Sequence, residues 1–345
     1  MVRTLEVKFY VLRSGAVWRQ LYPPKGSAPS LRCKSSGVIK TSLSGSFVPC
    51  PGADWLRDEI QPVLVINGLE HPLGVFLPAT LGGTDTPEGK ALQLTAYDRC
   101  WQVQTSILEE PVYFAAGTAY ITALQQLLTA AGIGLVQTTP SALTLPEARE
   151  WAPGTSRLTI INELLGEINY KTLHFSAHGA ALLVPAAMPG VGSPDHILDN
   201  SDVRSLMLPQ MSEETDIYKA PNVFLAVCSN PDKSGVMTAT AENNNPQSAR
   251  SIMRRGRRIT QLVKVNNIAN QDELQAYVDR VRDRSMSSGQ TINVETALLP
   301  GFGVDDVTAL HYDDLAALCI ETAWDMQLKV GGTMRHTLER VIYNV

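Results

Sequence analysis

The period of the apolar residues changes twice along this chain, and those two changes limit its fold more than any single motif does. In the first 110 residues the period is two. Leu5, Val7, Phe9 and Val11 alternate with Glu6, Lys8 and Tyr10, the pattern of a half-buried strand. Leu43–Val48, Pro62–Ile66, Gly74–Leu77 and Leu92–Tyr97 are further short apolar or alternating runs. Turn clusters separate them: Pro23-Pro24-Lys25-Gly26, Pro51-Gly52-Ala53-Asp54, Asn67-Gly68 and Gly82-Gly83-Thr84-Asp85. Asn67-Gly68 predicts a two-residue hairpin, because both residues tolerate the positive φ of a type I′ turn. Short strands punctuated this way predict a small barrel or sandwich.

From about residue 112 the period becomes helical. Ile121, Leu124, Leu127, Leu128 and Ala131 share one face, with Thr118 placed as N-cap and Gly132 just past the C-terminus. Leu158, Ile161, Leu164, Leu165 and Ile168 mark a second amphipathic helix. Lys171–Phe175, the turn Ala177-His178-Gly179 and Ala181–Val184 then read as a hairpin. Pro185, Pro189, Gly190, Gly192 and Pro194 follow as a linker. Strands return at Asp216–Cys228, Gly235–Ala241 and Ile259–Val265. Asn270-Gln-Asp-Glu273 opens a helix with Leu274, Tyr277, Val278 and Val281 on one side, closed by Gly289. Strands at Thr291–Leu298, Asp306–His311, Ala316–Thr322, Asp325–Val330 and Thr337–Tyr343 complete the chain. The fold class is mainly β with an α/β insert (α+β): two β-rich units flank a compact segment of helices and a hairpin.

Composition narrows the function classes. At 345 residues the chain suggests two or three domains and needs no disulfide or metal staple. Its 18% charged residues fall below the roughly 25% usual for soluble domains, which fits either surface hidden in an assembly or a large core. Lys plus Arg number 29 against 34 Asp plus Glu, a net charge of −5, so bulk charge does not indicate nucleic-acid binding. Glu6 and Lys8 stand where a signal peptide needs an apolar run. The longest stretch without Asp, Glu, Lys or Arg, Pro111–Pro146, is broken by Gln125, Gln126, Gly132 and Gly134 and lacks the ~20 apolar residues of a membrane span. Cys33, Cys50, Cys100, Cys228 and Cys319 are odd in number and show no C-x-x-C spacing. They fit reduced thiols in a protein made in a cytoplasm, without a zinc site.

No enzyme motif is present: the chain lacks a G-x-S-x-G elbow, a P-loop, a Rossmann glycine triplet and H-E-x-x-H. His174 and His178 have even spacing, which on one strand would point both the same way as a metal pair; packing or surface histidines in a hairpin are the simpler reading. Asp195 and His196 sit in the linker with no nucleophile tied to them. Cys100 reads as a buried structural thiol. Asp305-Asp306 and Asp313-Asp314 resemble acid/base pairs but fall in turns, where solvated carboxylates are common, and glycoside hydrolysis needs two carboxyls ~5–9.5 Å apart in a cleft. The sharpest charge feature is Arg250, Arg254, Arg255, Arg257 and Arg258, five arginines in nine residues. It is either a solvated loop paired with neighbouring carboxylates or a contact for an acidic partner or phosphate.

One order of features runs along nearly the whole chain. Leu94-Thr-Ala-Tyr97-Asp98-Arg99-Cys-Trp101 follows a Gly-rich turn and leads through Pro111-Val-Tyr-Phe and Gly117-Thr118 into a helix ending at Gly132-Ile133. Next come Leu164-Leu165-Gly-Glu-Ile168-Asn169-Tyr170, Leu173-His-Phe175, His178-Gly179 and Leu182–Pro185. Near the C-terminus lie Asn245-Pro246-Gln-Ser248, Arg257-Arg258-Ile259, the helix from Gln271, and Val330-Gly331-Gly332-Thr-Met334-Arg-His-Thr-Leu338. In this order the chain resembles the baseplate or tail hub proteins of phage tails and phage tail-like contractile injection systems.

The resemblance implies two tube-like β-barrels related within one chain, with an inserted helix-hairpin domain near the first. It places the first barrel at 1–111 with a return segment at about 195–230, the α/β insert at 112–194, and the second barrel with one helix at 231–345. Val7, Phe9, Leu64, Ile66, Leu94, Val263 and Val294 are its expected barrel core. The resemblance further implies a non-enzymatic virion structural protein without cofactor or metal, made in the host bacterial cytoplasm and located in the tail or baseplate. Three copies would form a ring that joins the sixfold tail tube to a threefold central spike or fibre. Its partners would be the tail tube or distal tail protein, the spike or fibre, and the tape measure protein, with transient DNA passage through the lumen. Many hubs carry an added lysin, spike or fibre-binding module; a chain of this size leaves no room for one, which favours a bare hub over the alternative of a tail-associated cell-wall hydrolase. Arg254, Arg255, Arg257 and Arg258 are the candidate partner contact, expected to pair with carboxylates of a neighbouring subunit or to face the lumen.

Overall fold

The computed structural model describes residues 3–86, 89–186, 193–201, 205–214, 221–229, 236–246, 248, 250–265, 271–286 and 288–341. Pro189, Gly190 and Gly192 of the expected linker lie outside them, as do the start of the strand expected from Asp216, Gly235, Asn270 of the capping box and Tyr343.

The N-terminal part forms β1 (Leu5–Arg13), β2 (Ala16–Leu21), β3 (Ser30–Lys34), β4 (Thr41–Phe47), β5 (Glu59–Ile66), β6 (Leu69–Pro72), β7 (Phe76–Thr86) and β8 (Gly89–Asp98). The Asn67-Gly68 turn is as expected: φ is +51° and +83°, and Ile66 pairs with Leu69 across it. Phe9, Leu64 and Leu94 are fully buried, while Val7 and Ile66 are half-buried at the edge of the same core.

Residues 100–186 carry α1 (Cys100–Thr105), β9 (Val112–Phe114), α2 (Tyr120–Ala130), β10 (Val136–Thr138), β11 (Arg149–Trp151), α3 (Arg157–Glu167), β12 (His174–Phe175) and β13 (Ala181–Leu183). They share one apolar core in which Leu124, Leu128, Leu164 and Leu165 are inaccessible. Gly132 follows α2 with φ +80°, the left-handed position expected of it. Thr118 is not the N-cap. Its hydroxyl donates to the Ala115 carbonyl, and extended Ala119 precedes the helix. Ser156 caps α3 by accepting from the Leu158 amide at 3.2 Å.

The remainder forms β14 (His196–Asp199), β15 (Met207–Glu214), β16 (Val223–Ser229), β17 (Val236–Glu242), α4 (Ile252–Arg255), β18 (Thr260–Val265), α5 (Gln271–Met286), β19 (Ser288–Ala297), β20 (Val307–Tyr312), β21 (Leu315–Gln327) and β22 (Thr333–Val341). Gly289 lies within β19 rather than closing α5. The strands expected at Ala316–Thr322 and Asp325–Val330 are one strand, β21, with a bulge at Thr322.

Strand partners depart from expectation in two places. The return segment does not pair with the N-terminal strands: β14 pairs with β20 and β15 with β19. Strands β16, β17 and β18 do not join the C-terminal strands. Instead β17, β16 and β18 make a separate three-stranded sheet, and α5 packs Leu274 and Val278 onto Phe224, Ala226 and Cys228. The physical reason is that β16 is apolar on both faces, so it needs α5 on one side. Val263, expected in a barrel core, is half-buried in that small sheet; Val294 of β19 is buried.

A single large sheet runs β15-β19-β22-β21-β3-β4-β8-β7-β5-β1-β2. Within it one plan occurs twice. The succession β3–β4–β8–β7–β5 recurs as β15–β19–β22–β21–β20, and every neighbouring pair is antiparallel in both. In each long hairpin the first strand also bulges just past the residues that pair with β5 or β20, between Pro78 and Thr80 in β7 and between Glu321 and Ala323 in β21. The two halves meet where β21 pairs with β3.

Candidate partner surface and a buried polar joint

The arginine cluster is built on one helical turn. The buried Ser251 hydroxyl accepts from the Arg254 amide at 3.2 Å, and Gly256 ends the turn with φ +64°. Buried Asn222 fixes the next residues, donating to the Arg257 carbonyl at 2.9 Å and accepting from the Ile259 amide at 2.7 Å. This framework exposes Arg254, Arg257 and Arg258 and leaves Arg255 half-buried. Arg258 meets Glu242 at 2.5 Å; this hydrogen bond raises the guanidinium above its ordinary value and lowers the carboxyl below its own. Met253 on the same turn is 68% exposed, so the turn presents an apolar side chain next in sequence to Arg254. Arg250 points elsewhere, to the Ser285 carbonyl.

The other residues singled out by sequence separate into distinct environments. His174 is buried with Nδ1 on the Thr172 carbonyl, and burial lowers its pKa; His178 is exposed in the following turn, so the two do not share a strand face. Among the described residues no three His, Cys, Asp or Glu side chains gather in a way that could hold a metal. Cys100 is buried at the start of α1 with Sγ on the Leu173 carbonyl. Desolvation pushes its thiol well above the ordinary value, the state of an inert structural cysteine. Asp313 is tied to Asn200 by a reciprocal pair of 2.9 Å hydrogen bonds.

Asp306 and His196, remote in sequence, come together. His196 Nε2 lies 3.0 Å from Asp306 Oδ2, the Gly303 amide donates to the same carboxyl at 2.6 Å, and Lys171 Nζ reaches Oδ1 at 3.2 Å and the Val304 carbonyl at 2.7 Å. Burial pushes the Asp306 carboxyl up; the His196 hydrogen bond, the Lys171 charge and the Gly303 amide outweigh it and hold the pKa below the ordinary value. His196 stacks on Phe302 with centroids 3.8 Å apart, and Phe302 lies 4.8 Å from the ring of inaccessible His336. The Thr296 hydroxyl donates to the Ala297 carbonyl at 2.7 Å and lies 3.0 Å from His336 Nε2. His336 Nδ1 faces Glu321 Oε1 at 2.6 Å, and burial raises the Glu321 carboxyl while this contact pulls it back. Asp306 and His196 are two members of a nucleophile triad in type only. No described hydroxyl or thiol is bonded to His196, and the Asp306 carboxyl is filled by structural donors. The arrangement is a joint: Lys171 of the α3–β12 connection is fastened to the C-terminal strands.

A second joint explains Tyr97-Asp98-Arg99-Cys100. Asp98 accepts from the Thr41 amide at 2.7 Å and the Cys100 amide at 2.9 Å; desolvation raises it to about 6 against the pull of those amides. Arg99 makes a bidentate contact with Glu59 at 2.8 and 2.9 Å and donates to the Gly179 carbonyl at 3.0 Å. Gly179 has φ +77°, and a Cβ there would lie 3.2 Å from Val75 and 3.3 Å from the Arg99 guanidinium carbon. Sequence reading missed Glu59, Arg99 and Lys171 as joint residues, because each partner is distant along the chain. A mixed-charge cleft of about 690 Å³ separates α3 from α5, with Arg149, Glu163 and Glu167 on one wall and Lys264, Tyr277 and Arg280 on the other. Glu163 accepts from Arg149 and Trp151, and Glu167 from Arg149 and Tyr120, so both carboxylates are held as structural acceptors.

The fold is that of phage tail proteins, as the order of sequence features implied. The chain superposes on the tail protein from Neisseria meningitidis with a TM-score of 0.71 at 11% identity, covering 96% of both chains. For the 43 kDa tail protein of prophage MuSo2 from Shewanella oneidensis the values are 0.68 and 8%, over 96% of this chain and 98% of that one. For the prophage tail protein gp18 from Listeria monocytogenes they are 0.61 and 12%, over 96% and 94%. No family model matches the chain, and no curated protein matches it in sequence. No helix among the described residues is long and apolar enough to cross a membrane.

Proposed function

We propose that this chain is a structural hub of a phage tail or tail-like injection apparatus. Three copies form a ring that joins a sixfold tail tube to a threefold central spike or fibre and leaves an axial passage for genome or tape measure. One barrel comprises β1–β8 and the other β14, β15 and β19–β22, with residues 100–186 as one inserted unit and β16, β17, α4, β18 and α5 as the other. The observation that carries this reading is the strand plan that occurs twice in one chain: three such chains present six similar units, the arrangement a threefold ring needs to match a sixfold tube. Its place is the virion tail or baseplate, after synthesis in the bacterial cytoplasm.

Arg254, Arg255, Arg257 and Arg258, with exposed Met253 on the same turn, contact an acidic face of a neighbouring tail subunit. Replacing all four by Ala lowers particle assembly while the purified chain stays folded; normal particle yield with only DNA ejection slowed would move the cluster to the lumen. The role is non-enzymatic. The carboxylates of the α3–α5 cleft, Glu163 and Glu167, are held as structural acceptors, and a cell-wall digestion assay on the purified chain is expected to show no activity. Light scattering and electron microscopy of particles test the ring, and six identical contacts around the axis would refute it.

A further inference from the structure

We infer that neighbouring copies in the ring are joined by β-sheet pairing between β15 of one chain and the outer half of β7 of the next, in the register that β3 and β21 use inside the chain. The inference rests on the ring proposed above and adds which edges meet.

The internal junction sets the pattern. The first half of β21 pairs with β20; past the bulge at Thr322 the strand turns to β3, and the partners run from Ala323 opposite Lys34 to Gln327 opposite Ser30. In the repeated plan β7 stands where β21 stands. Its first residue, Phe76, pairs with Ile60 of β5, and past its own bulge Thr80–Thr86 pair with β8 on one side only among the described residues. Thr80, Leu81, Gly82, Gly83, Thr84 and Asp85 are all exposed. Likewise β15 stands where β3 stands. Among the described residues it pairs with β19 alone, and its other edge is unpaired. The chain therefore carries one junction already made and the two unmatched halves of a second.

The register follows by stepping across the sheets. Aligning the two bulges sets Leu81 where Trp324 stands and Thr84 where Gln327 stands. The β8 and β22 partners then correspond, Thr95 with Thr337, and through them Ser44 of β4 with Asn293 of β19. Ser44 pairs with Ser30 and Asn293 with Ser212, so Ser212 takes the place of Ser30. Transferring the internal pairs gives Thr84 opposite Ser212 of the next copy, Gly83 opposite Glu213 and Gly82 opposite Glu214. The chemistry suits this. Thr80–Thr84 holds no charge and no proline, so nothing on it guards against pairing, whereas exposed edges that must stay single usually carry such residues. Gly82 and Gly83 have no side chain to meet the neighbour's two glutamates. Pro209, which lacks an amide donor, falls outside the paired residues 212–214. A contact between two different edges is head-to-tail, so it closes only as a ring. With three copies, three internal and three external junctions of one kind alternate.

The test is a disulfide. Directly opposed residues on antiparallel strands lie within the Cα separation a disulfide spans. The variant carrying Thr84→Cys and Ser212→Cys, oxidised at assembly concentration and run on a non-reducing denaturing gel, is expected to give a covalent trimer. Each single variant and the out-of-register pair Leu81→Cys with Ser212→Cys are expected to give none. As a second readout on the unaltered chain, amide exchange across 80–85 and 212–214 is expected to slow on assembly. If light scattering finds a trimer but the double variant does not cross-link and these amides exchange unchanged, the pairing is overturned and the ring stands. If the chain is monomeric at every concentration and particles hold no threefold ring, the ring reading falls and the pairing falls with it.

Discussion

Arg99 and Glu59 are expected to be energetically coupled, because they fasten residues 100–186 to the N-terminal strands. Their side chains are 18% and 15% exposed, and three guanidinium–carboxylate hydrogen bonds of 2.8–3.0 Å join them. An exposed ion pair contributes about 0–1 kcal/mol, whereas breaking a buried one costs about 3–5 kcal/mol, because the remaining charge is stranded. At this exposure the pair lies nearer the buried case. Arg99→Met, which keeps the aliphatic stem, is expected to cost about 3 kcal/mol, part of it from the lost Gly179 contact. Glu59→Gln keeps an acceptor and should cost about 1–2 kcal/mol. The double variant should cost about 2 kcal/mol less than the sum, the coupling expected of charge-assisted hydrogen bonds. Urea unfolding followed by tryptophan fluorescence measures this, since Trp101 and Trp151 lie in the fastened segment. A coupling energy below about 0.5 kcal/mol would refute the assignment of these residues as a joint.

Asp98 sets a pH dependence with a definite sign. Its carboxyl is raised from 3.8 to about 6 in the fold, so between those values the folded chain holds a proton that the unfolded chain has lost. Its contribution therefore makes stability fall by about 3 kcal/mol as pH rises from about 4 to about 6, with no further change above. Urea midpoints across pH 4–7 should show that decline for the parent chain and a flatter profile for Asp98→Asn, which also leaves one of two backbone amides unpaired. His336→Leu strands the Glu321 carboxyl where both residues are inaccessible, and should cost about 3–5 kcal/mol. Adding Glu321→Leu should recover most of that in a thermal melt; no recovery would show that the two are not a pair. Leu124→Ala in the core of residues 100–186 should cost about 2–5 kcal/mol in urea unfolding and leave the amide exchange of β1 and β5 unchanged.

Elements with a clean period were legible. In β1 alternation locates the strand to within two residues of its ends, in β5 the apolar run finds the C-terminal end and misses the first three residues, and in α3 Leu158, Ile161, Leu164 and Leu165 all point inward as their spacing requires. Short or interrupted elements were missed. Ser30–Lys34 alternates too, with Leu31 and Cys33 inward and Arg32 and Lys34 outward, but five residues are too few to stand out, although the two halves of the sheet join there through β21. In β21 the bulge at Thr322 reverses the inward face, and a change of face reads as the end of one strand and the start of another. The arginine cluster was visible as charge, but the Ser251 and Asn222 framework that aims it was not. Lys171, His196 and Asp306 were likewise out of reach, since Lys171 and Asp306 are 135 residues apart.

What the sequence by itself determined is which residues turn inward and where the backbone must bend. Alternation, helical spacing and Asn67-Gly68 are properties of a few consecutive residues, so they hold whatever the rest of the chain does. Only the tertiary structure decided which strand lies beside which: that β14 and β15 join the C-terminal strands, that β16–β18 stand apart under α5, and that the two halves meet through β3 and β21. The backbone amides and carbonyls along a strand edge are chemically alike from one strand to the next. The choice of partner therefore comes from packing all the apolar faces at once, a property of the whole chain that no local pattern contains.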